Sequence, residues 1–241
     1  LYTEEKFESL CKSFQKKYSK EDKYKYTDLC EMMYKNRSDK ASPPDIRDNK
    51  AEALKHVGKK RRSYHNYTVF YDFIFKPFRD HVLNIFEMGL GSPNKNVVGY
   101  MKATDGPARP GASLYGWSEY FSKSNIWGAD IDPGAVFQDE ENRIKTYQCD
   151  QIDSSEVKLM FDKINEKFDI IVDDGRHKPE YNWAFFESSF PYLKTGGIYI
   201  IEDVLTSNHD TKIKKMSTYA KLIKIKSDFN RTDNNVIVVL K

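Results

Sequence analysis

Short apolar runs that end in glycine or in acids, alternating with stretches long enough for a helix, constrain this chain more than any other feature. Five of them stand in order: NIFEMGLG (84–91), NIWGADID (125–132), RIKTYQCD (143–150), KFDIIVDD (167–174) and GIYIIEDV (197–204). Strands joined through helices run parallel, and a parallel sheet has to be covered on both faces. LIKIKSDFN and NNVIVVLK, at the end of the chain, read as an antiparallel pair joined by a turn. The expected fold class is therefore α/β: a mostly parallel, seven-stranded sheet with helices on both faces and an antiparallel last strand.

The segments between the runs supply the helices. YHNYTVFYDFIFKPFRD (64–80) is an aromatic-rich helix, and SLYGWSEYFSK is a second. SSEVKLMFDKI carries a Ser cap and a Glu in its first turn. EYNWAFFESSFPYLK is a helix ended by Thr195-Gly196-Gly197, and a Lys-rich helix falls near 211–221. Upstream, residues 1–40 read as amphipathic helices, with Phe7, Leu10, Cys11 and Phe14 at helical spacing. Pro43 and Pro44 break that pattern and mark a linker. Residues 1–63 are thus expected to form an extension serving as lid or oligomer contact, and residues 64–241 the main domain.

Bulk properties exclude some classes. With 16 Tyr and 15 Phe the chain has the groups to build a core, which argues against disorder. A net charge of +3 spread over both signs says little for nucleic acid. Cys11, Cys30 and Cys149 form no close-spaced pair, so neither a zinc motif nor a disulfide framework is suggested, and a cytoplasmic location is expected. No apolar run approaches the roughly 18 residues of a membrane span.

Ligands of parallel α/β sheets bind beyond the carboxyl ends of the strands. Glu87-Met88-Gly89-Leu90-Gly91 lies at such an end, where Gly89 and Gly91 would let backbone approach a cofactor. Asp130 closes the second strand, where an acid can take ribose hydroxyls, and Asp150 closes the third. The segment lacks a third glycine, and a long Gly/Pro-rich stretch delays the next helix, whereas a pyrophosphate needs the helix start directly after the glycines. NAD is disfavoured; a cofactor with an adenosine and no pyrophosphate fits better.

Asp173-Asp174 end the fourth run and Glu202-Asp203 the fifth. If these strands are neighbours, four carboxylates share one rim, though alternation stops both members of a pair from pointing the same way. Such a gathering is costly without a cation, and a hard divalent ion, Mg²⁺ or Ca²⁺, would resolve it. His177, three residues past Asp174, has the reference pKa of a general base. Lys59, Lys60, Arg61, Arg62, Tyr100, Lys102 and Arg109 form a cationic set that would suit a phosphorylated or nucleotide-linked acceptor, although a solvated face is the plainer reading of the 59–62 run.

The pieces YHNYTVFY, FEMGLG, PGASLYGWSEYF, WGADID, IVDDGRH and FFESSFPYLKTGGIYIIEDV, over 64–204, carry a family resemblance. The sequence resembles class I S-adenosylmethionine-dependent methyltransferases, whose fold is Rossmann-like. More narrowly it is similar to the metal-dependent sugar O-methyltransferases of macrolide biosynthesis, the mycinamicin and macrocin type, to related enzymes of surface-polysaccharide clusters, and to the cephalosporin-hydroxylase-like group. The resemblance implies S-adenosylmethionine and Mg²⁺ as cofactors, Asp174, Glu202 and Asp203 as metal ligands, and His177 as the base. It places Glu87, Gly89 and Gly91 beside the cofactor's methionine portion, Asp130 at the ribose and Asp150 near the adenine. Asp173 is then structural or a cofactor-side contact, Ser113 and Leu114 start the bordering helix, and Tyr67 and Thr68, with His65 less firmly tied, close over the cofactor. The implied reaction is O-methylation of a sugar hydroxyl on a small carbohydrate, capsule or natural-product precursor, by a protein that is not a nucleic-acid binder and forms homo-oligomers in related cases. The rival readings are a metal-assisted oxidoreductase on the same scaffold and a polyanion-binding protein.

Overall fold

The computed structural model describes residues 1–18, 28–35, 67–97, 109–205, 219–225 and 233–241. Their elements are α1 (Glu4–Tyr18), α2 (Asp28–Lys35), α3 (Thr68–Phe75), β1 (Asn84–Met88), α4 (Ala112–Tyr120), β2 (Asn125–Asp130), β3 (Gln138–Asp139), β4 (Ile144–Gln148), α5 (Ser154–Ile164), β5 (Phe168–Asp173), α6 (Pro179–Ser189), β6 (Leu193–Ile201), β7 (Ala220–Lys224) and β8 (Asn235–Leu240). Among the described residues no helix is long and apolar enough to cross a membrane.

The strands form one sheet in the order β3-β4-β2-β1-β5-β6-β8-β7. Pairings from β4 across to β6 are parallel, while β8 runs antiparallel to both β6 and β7. The sheet has eight strands rather than the expected seven: β3, two residues long, adds an antiparallel edge beside β4. Strand order proceeds outward from β1 to β2 and β4, then returns to the other side of β1 for β5 and β6. That reversal opens a crevice at the carboxyl ends of β1 and β5, where such sheets bind ligands.

Alternation divides the strand side chains between two apolar layers. Ile85, Ile126, Ile170, Val172 and Ile198 pack with Phe70, Ile74, Leu114 and Trp117 from α3 and α4. Phe86, Met88, Trp127, Ile171 and Tyr199 pack with Val157, Phe161, Phe185 and Phe186 from α5 and α6. Each buried aromatic or aliphatic side chain contributes about 1.5–3 kcal/mol by its removal from water. Helix α1 buries Phe7, Cys11 and Phe14 and leaves Leu10 half-buried, with the Phe14 ring 4.9 Å from Phe70.

Element ends differ from expectation for local reasons. Helix α3 gives way to a 3-10 turn at Lys76–Phe78, because Pro77 cannot continue the helical ladder. Helix α5 is capped by Asp153, not by a serine: its carboxylate accepts from the Ser155 and Glu156 N–H groups at 2.8 and 3.1 Å. Pro191 ends α6 early through another 3-10 turn, so β6 starts at Leu193 rather than Gly197. Its register slips between the Phe168–Leu193 and Ile170–Ile198 pairs, with Gly196 at φ +76. The Pro43–Pro44 linker, His65, Lys59, Lys60, Arg61, Arg62, Tyr100 and Lys102 lie outside the described residues, as does most of the expected helix near 211–221, whose last residues enter β7.

Candidate active site

The four central strands end level. Met88 pairs with Ala129 and Asp173, and Asp173 pairs with Ile201. The ladder runs one residue further: Gly89 N–H donates to the Ala129 carbonyl at 2.8 Å, Asp174 N–H to Met88 at 2.9 Å, and Glu202 N–H to Asp173 at 3.0 Å. This brings the two acid pairs to one rim, as expected, because β5 and β6 are neighbours.

Alternation then separates the members of the first pair. Asp173 points into the protein, fully buried, and accepts from Gln151 Nε2 (2.5 Å), Asn182 Nδ2 (2.8 Å) and Gly175 N–H (3.2 Å). Burial raises its carboxyl to about 6, against the lowering effect of those donors. Asp174 turns the other way, into a cavity of about 670 Å³. Its side chain keeps 39 % exposure there and that of His177 38 %, so both are reachable from the cavity.

Asp174, His177 and Asp203 each offer a ligand atom within 4.8 Å of the others. His177 Nε2 lies 3.4 Å from Asp203 Oδ2, and Nδ1 4.0 Å from Asp174 Oδ1. Both His177 and Asp203 hold left-handed backbone angles, φ +56 and +54, which non-glycine residues seldom adopt. Glu202 adjoins the group, its carboxyl and that of Asp174 acting on one another. Enclosure by protein, followed by repulsion from Glu202, Asp203 and Glu87, holds Asp174 well above the usual carboxylate range. Enclosure likewise raises Glu202, against the lowering effect of the Tyr71 hydroxyl. Opposite oxygens around Mg²⁺ lie about 4 Å apart, so a small inward shift would enclose a cation, and its charge would remove the repulsion. The donor set therefore fits a hard divalent ion.

Helix α3 supports this rim from behind. The Tyr67 hydroxyl donates to Asp203 Oδ1 at 2.5 Å, with the Asp233 carbonyl 2.9 Å away, and accepts from the Asp203 N–H at 3.1 Å. One turn on, the Tyr71 hydroxyl donates to Glu202 Oε1. Tyr67 thus holds the acids, and neither it nor half-buried Thr68 is among the residues lining the cavity.

The same cavity is lined by Gly89, Gly91, Ser113, Asp130 and Asp150, together with Ile131 and Met33 of α2. Gly91, at φ +78, presents bare backbone at the cavity. Gly89 (φ +96) serves packing as well: a Cβ there would strike the Asp174 carbonyl. Asp130 accepts from Leu90 N–H (2.8 Å) and Asp132 N–H (2.9 Å), which fixes its carboxylate at the wall. Asp150 Oδ1 accepts from Ile152 N–H at 3.1 Å, the turn bond of an acid at a strand end. Glu87 departs from expectation: it is buried behind the wall, accepting from Ser113 Oγ and from Trp117 Nε1 (2.7 Å), and burial raises it to about 7. Asp173 departs in the same way, since its oxygens are engaged by protein donors and it does not reach the cavity. Arg109 lies over the Tyr115 ring at 3.5 Å and is not among the cavity residues.

Sequence reasoning missed Tyr71, Gln151, Asn182 and Met33. Tyr71 was visible as the i+4 partner of Tyr67, and Asn182 as a polar residue on the buried stripe of α6 with Phe185 and Phe186. Gln151, whose Oε1 accepts from the Arg176 N–H at 2.9 Å, had no sequence signal.

No protein-family model matches the chain. Over 155 residues it is 36 % identical to the 8-demethyl-8-alpha-L-rhamnosyl tetracenomycin-C 2'-O-methyltransferase of Streptomyces olivaceus, covering 64 % of this chain and 37 % of that protein. Over 147 residues it is 34 % identical to the mycinamicin VI 2''-O-methyltransferase of Micromonospora griseorubida, covering 59 % of this chain and 32 % of that protein. The chain thus spans roughly a third of the length of these curated relatives. Among solved structures, the MycE methyltransferase of the mycinamycin pathway, in complex with Mg and SAH, superimposes with a TM-score of 0.52 at 24 % identity, over 83 % of this chain and 55 % of that one. A second structure of it, with Mg, SAH and mycinamycin VI, gives 0.52 at 20 % identity, over 90 % and 69 %.

Proposed function

We propose that this chain, which has the Rossmann-like class I methyltransferase fold and resembles sugar O-methyltransferases in sequence, is an S-adenosylmethionine-dependent, divalent-metal-dependent O-methyltransferase acting on a sugar hydroxyl. The observation that carries it is that Asp174 and His177, grouped with Asp203, line the same cavity as Gly91, Ser113, Asp130 and Asp150. Bound in that cavity, S-adenosylmethionine would supply the methyl group, and a divalent cation at the rim would lower the pKa of a hydroxyl.

The chain's own residues do the rest. Asp130 is held at the wall by two backbone N–H groups, so it can take ribose hydroxyls without moving. Asp150 stands by for the adenine end and Gly91 gives room to the methionine portion. Asp174 and Asp203 would hold the cation, with Glu202 adjoining. His177 accepts the acceptor's proton, and the positive charge it gains lies beside the Asp203 and Asp174 carboxylates. The Gln151–Asp173–Asn182 hydrogen bonds keep the 174–177 turn in place.

A sugar hydroxyl as acceptor is supported by the relatives' chemistry. A phosphorylated or nucleotide-linked form would need the cationic set, of which Arg109 is the described member, and it stacks on Tyr115 outside the cavity. The test is incubation with S-adenosylmethionine, Mg²⁺ and a panel of glycosides, sugar phosphates and nucleotide sugars. A methyl mass gain lost in EDTA and in His177→Ala is expected; full activity after exhaustive chelation removes the metal from the mechanism.

A further inference from the structure

We propose that Ser92 and Asp132, neither of which lines the cavity, are positioning residues that tie the loop after β1 to the loop after β2 and so hold Gly91 and Ile131 at a fixed spacing for the cofactor. The inference rests on the S-adenosylmethionine reading above and concerns what keeps that part of the site preformed.

Two rungs join the loops. On the inner rung the Leu90 N–H donates to Asp130 Oδ2 at 2.8 Å. On the outer rung the Ser92 hydroxyl donates to Asp132 Oδ2. Gly91 lies between Leu90 and Ser92, Ile131 lies between Asp130 and Asp132, and both line the cavity. Ile131 keeps 49 % exposure while Asp130 and Asp132 on either side keep 8 % and 4 %. The Asp132 N–H donates to Asp130 Oδ1 at 2.9 Å, which closes the ring.

The outer rung is itself held in place. Ser92 is 1 % exposed, and its Oγ also accepts the Asn94 N–H at 2.9 Å. The Asn94 carbonyl accepts at 3.1 Å from the N–H of Val97, a further cavity residue. Asp132 Oδ1 accepts the Gly134 N–H at 2.9 Å and caps the 3-10 turn Pro133–Ala135. Both oxygens of Asp130 and both of Asp132 are thus engaged by the two loops.

Glycine enters left-handed angles readily and leaves them as readily, so Gly91 at φ +78 has little intrinsic preference for the conformation found at the cavity. The bonds made by its two chain neighbours supply that preference. Without the outer rung the loop has to be ordered as the ligand binds, and ordering one or two residues weakens affinity by about tenfold. Ser92 and Asp132 act through Gly91 and Asp130, not by touching the ligand.

The test is calorimetric titration of the whole chain with S-adenosylhomocysteine, well below the melting temperature, for wild type, Ser92→Ala, Asp132→Asn, the double variant and Ser118→Ala. Asp132→Asn leaves one acceptor oxygen where the carboxylate uses two, so it cannot serve Ser92 and Gly134 as the acid does. Ser118 is the control, a buried serine whose hydroxyl donates at 2.7 Å to the Asn142 carbonyl, apart from the rungs. Ser92→Ala and Asp132→Asn should each weaken binding about tenfold, and Ser118→Ala by less than about twofold. The double variant should bind no more weakly than Asp132→Asn alone, because the same rung is already lost. Weakening below about threefold in both single variants, whatever their melting temperatures, marks a role in stability alone and overturns the proposal. A double variant that loses the product of the two single effects overturns it as well. If neither single variant folds, amide hydrogen exchange of ligand-free wild type decides: Leu90, Asn94 and Asp132 amides exchanging as fast as exposed ones overturn the proposal. Absence of S-adenosylhomocysteine binding by wild type overturns the cofactor reading itself, a different outcome from binding that is indifferent to the rung.

Discussion

Asp173 and Asp174 are chain neighbours with opposite surroundings, and their substitutions should separate. Asp173→Asn places an amide against three donors, which costs about 1–3 kcal/mol for the group left unsatisfied. It should lower the melting temperature by several degrees in EDTA while divalent-cation affinity survives. Asp174→Asn removes one charge from a repelling cluster, so its melting temperature in EDTA should hold or rise while cation affinity falls. If Asp173→Asn is the change that abolishes cation binding, the two roles are reversed. Glu87 gives a pH test. Its folded-state carboxyl stands at about 7 against 4.5 unfolded, so the folded protein binds the proton more tightly. The associated stability is present below the unfolded value and lost as pH rises through 7. At about 1.4 kcal/mol per unit this is about 3 kcal/mol at most. Urea unfolding at pH 5 and 8 should show wild type losing stability relative to Glu87→Gln across that window, and parallel behaviour of the two would remove the buried charge as the cause.

At the scale of elements, α2 and α3 bring the segment before the sheet into the site. Gly116 of α4 is the contact point of α2: a Cβ there would meet Met33 Sδ at 2.5 Å, and Met33 lines the cavity. Gly116→Leu should displace α2, raising its amide hydrogen exchange while leaving β1 and β5 protected. Equal protection of α2 in both proteins would show that the contact does not hold it. Element identity was legible in the pattern, since β1, β2, β4, β5 and β6 all lie within the apolar runs or across their edges. Boundaries were less legible. Pro77 and Pro191 end α3 and α6 earlier than the apolar pattern suggests, because a missing N–H outweighs a continuing hydrophobic stripe.

For the whole molecule, the reversal of strand order at β1 puts the glycine strand between Asp130 at the end of β2 and the acid pairs at the ends of β5 and β6. A cavity of about 670 Å³ spans the two sides. S-adenosylhomocysteine at about 100 times its dissociation constant should stabilise the fold by about 2.7 kcal/mol. In a chain of this size that raises the melting temperature by roughly 5–10 °C, and NAD at the same concentration should raise it by none. A shift with NAD and none with S-adenosylhomocysteine would overturn the cofactor assignment. The alternation of runs and helices determined the α/β class, and the acid pairs at strand ends determined that a charged rim would form, because hydrophobic period and strand polarity are local properties of the chain. Tertiary structure decided that Asp174 rather than Asp173 faces the cavity, that Glu87 and Asp173 lie behind its wall, and that Tyr67 and Tyr71 grip Asp203 and Glu202. Those outcomes depend on the direction of a pleat and on contacts between residues more than a hundred positions apart, which no spacing along the chain encodes.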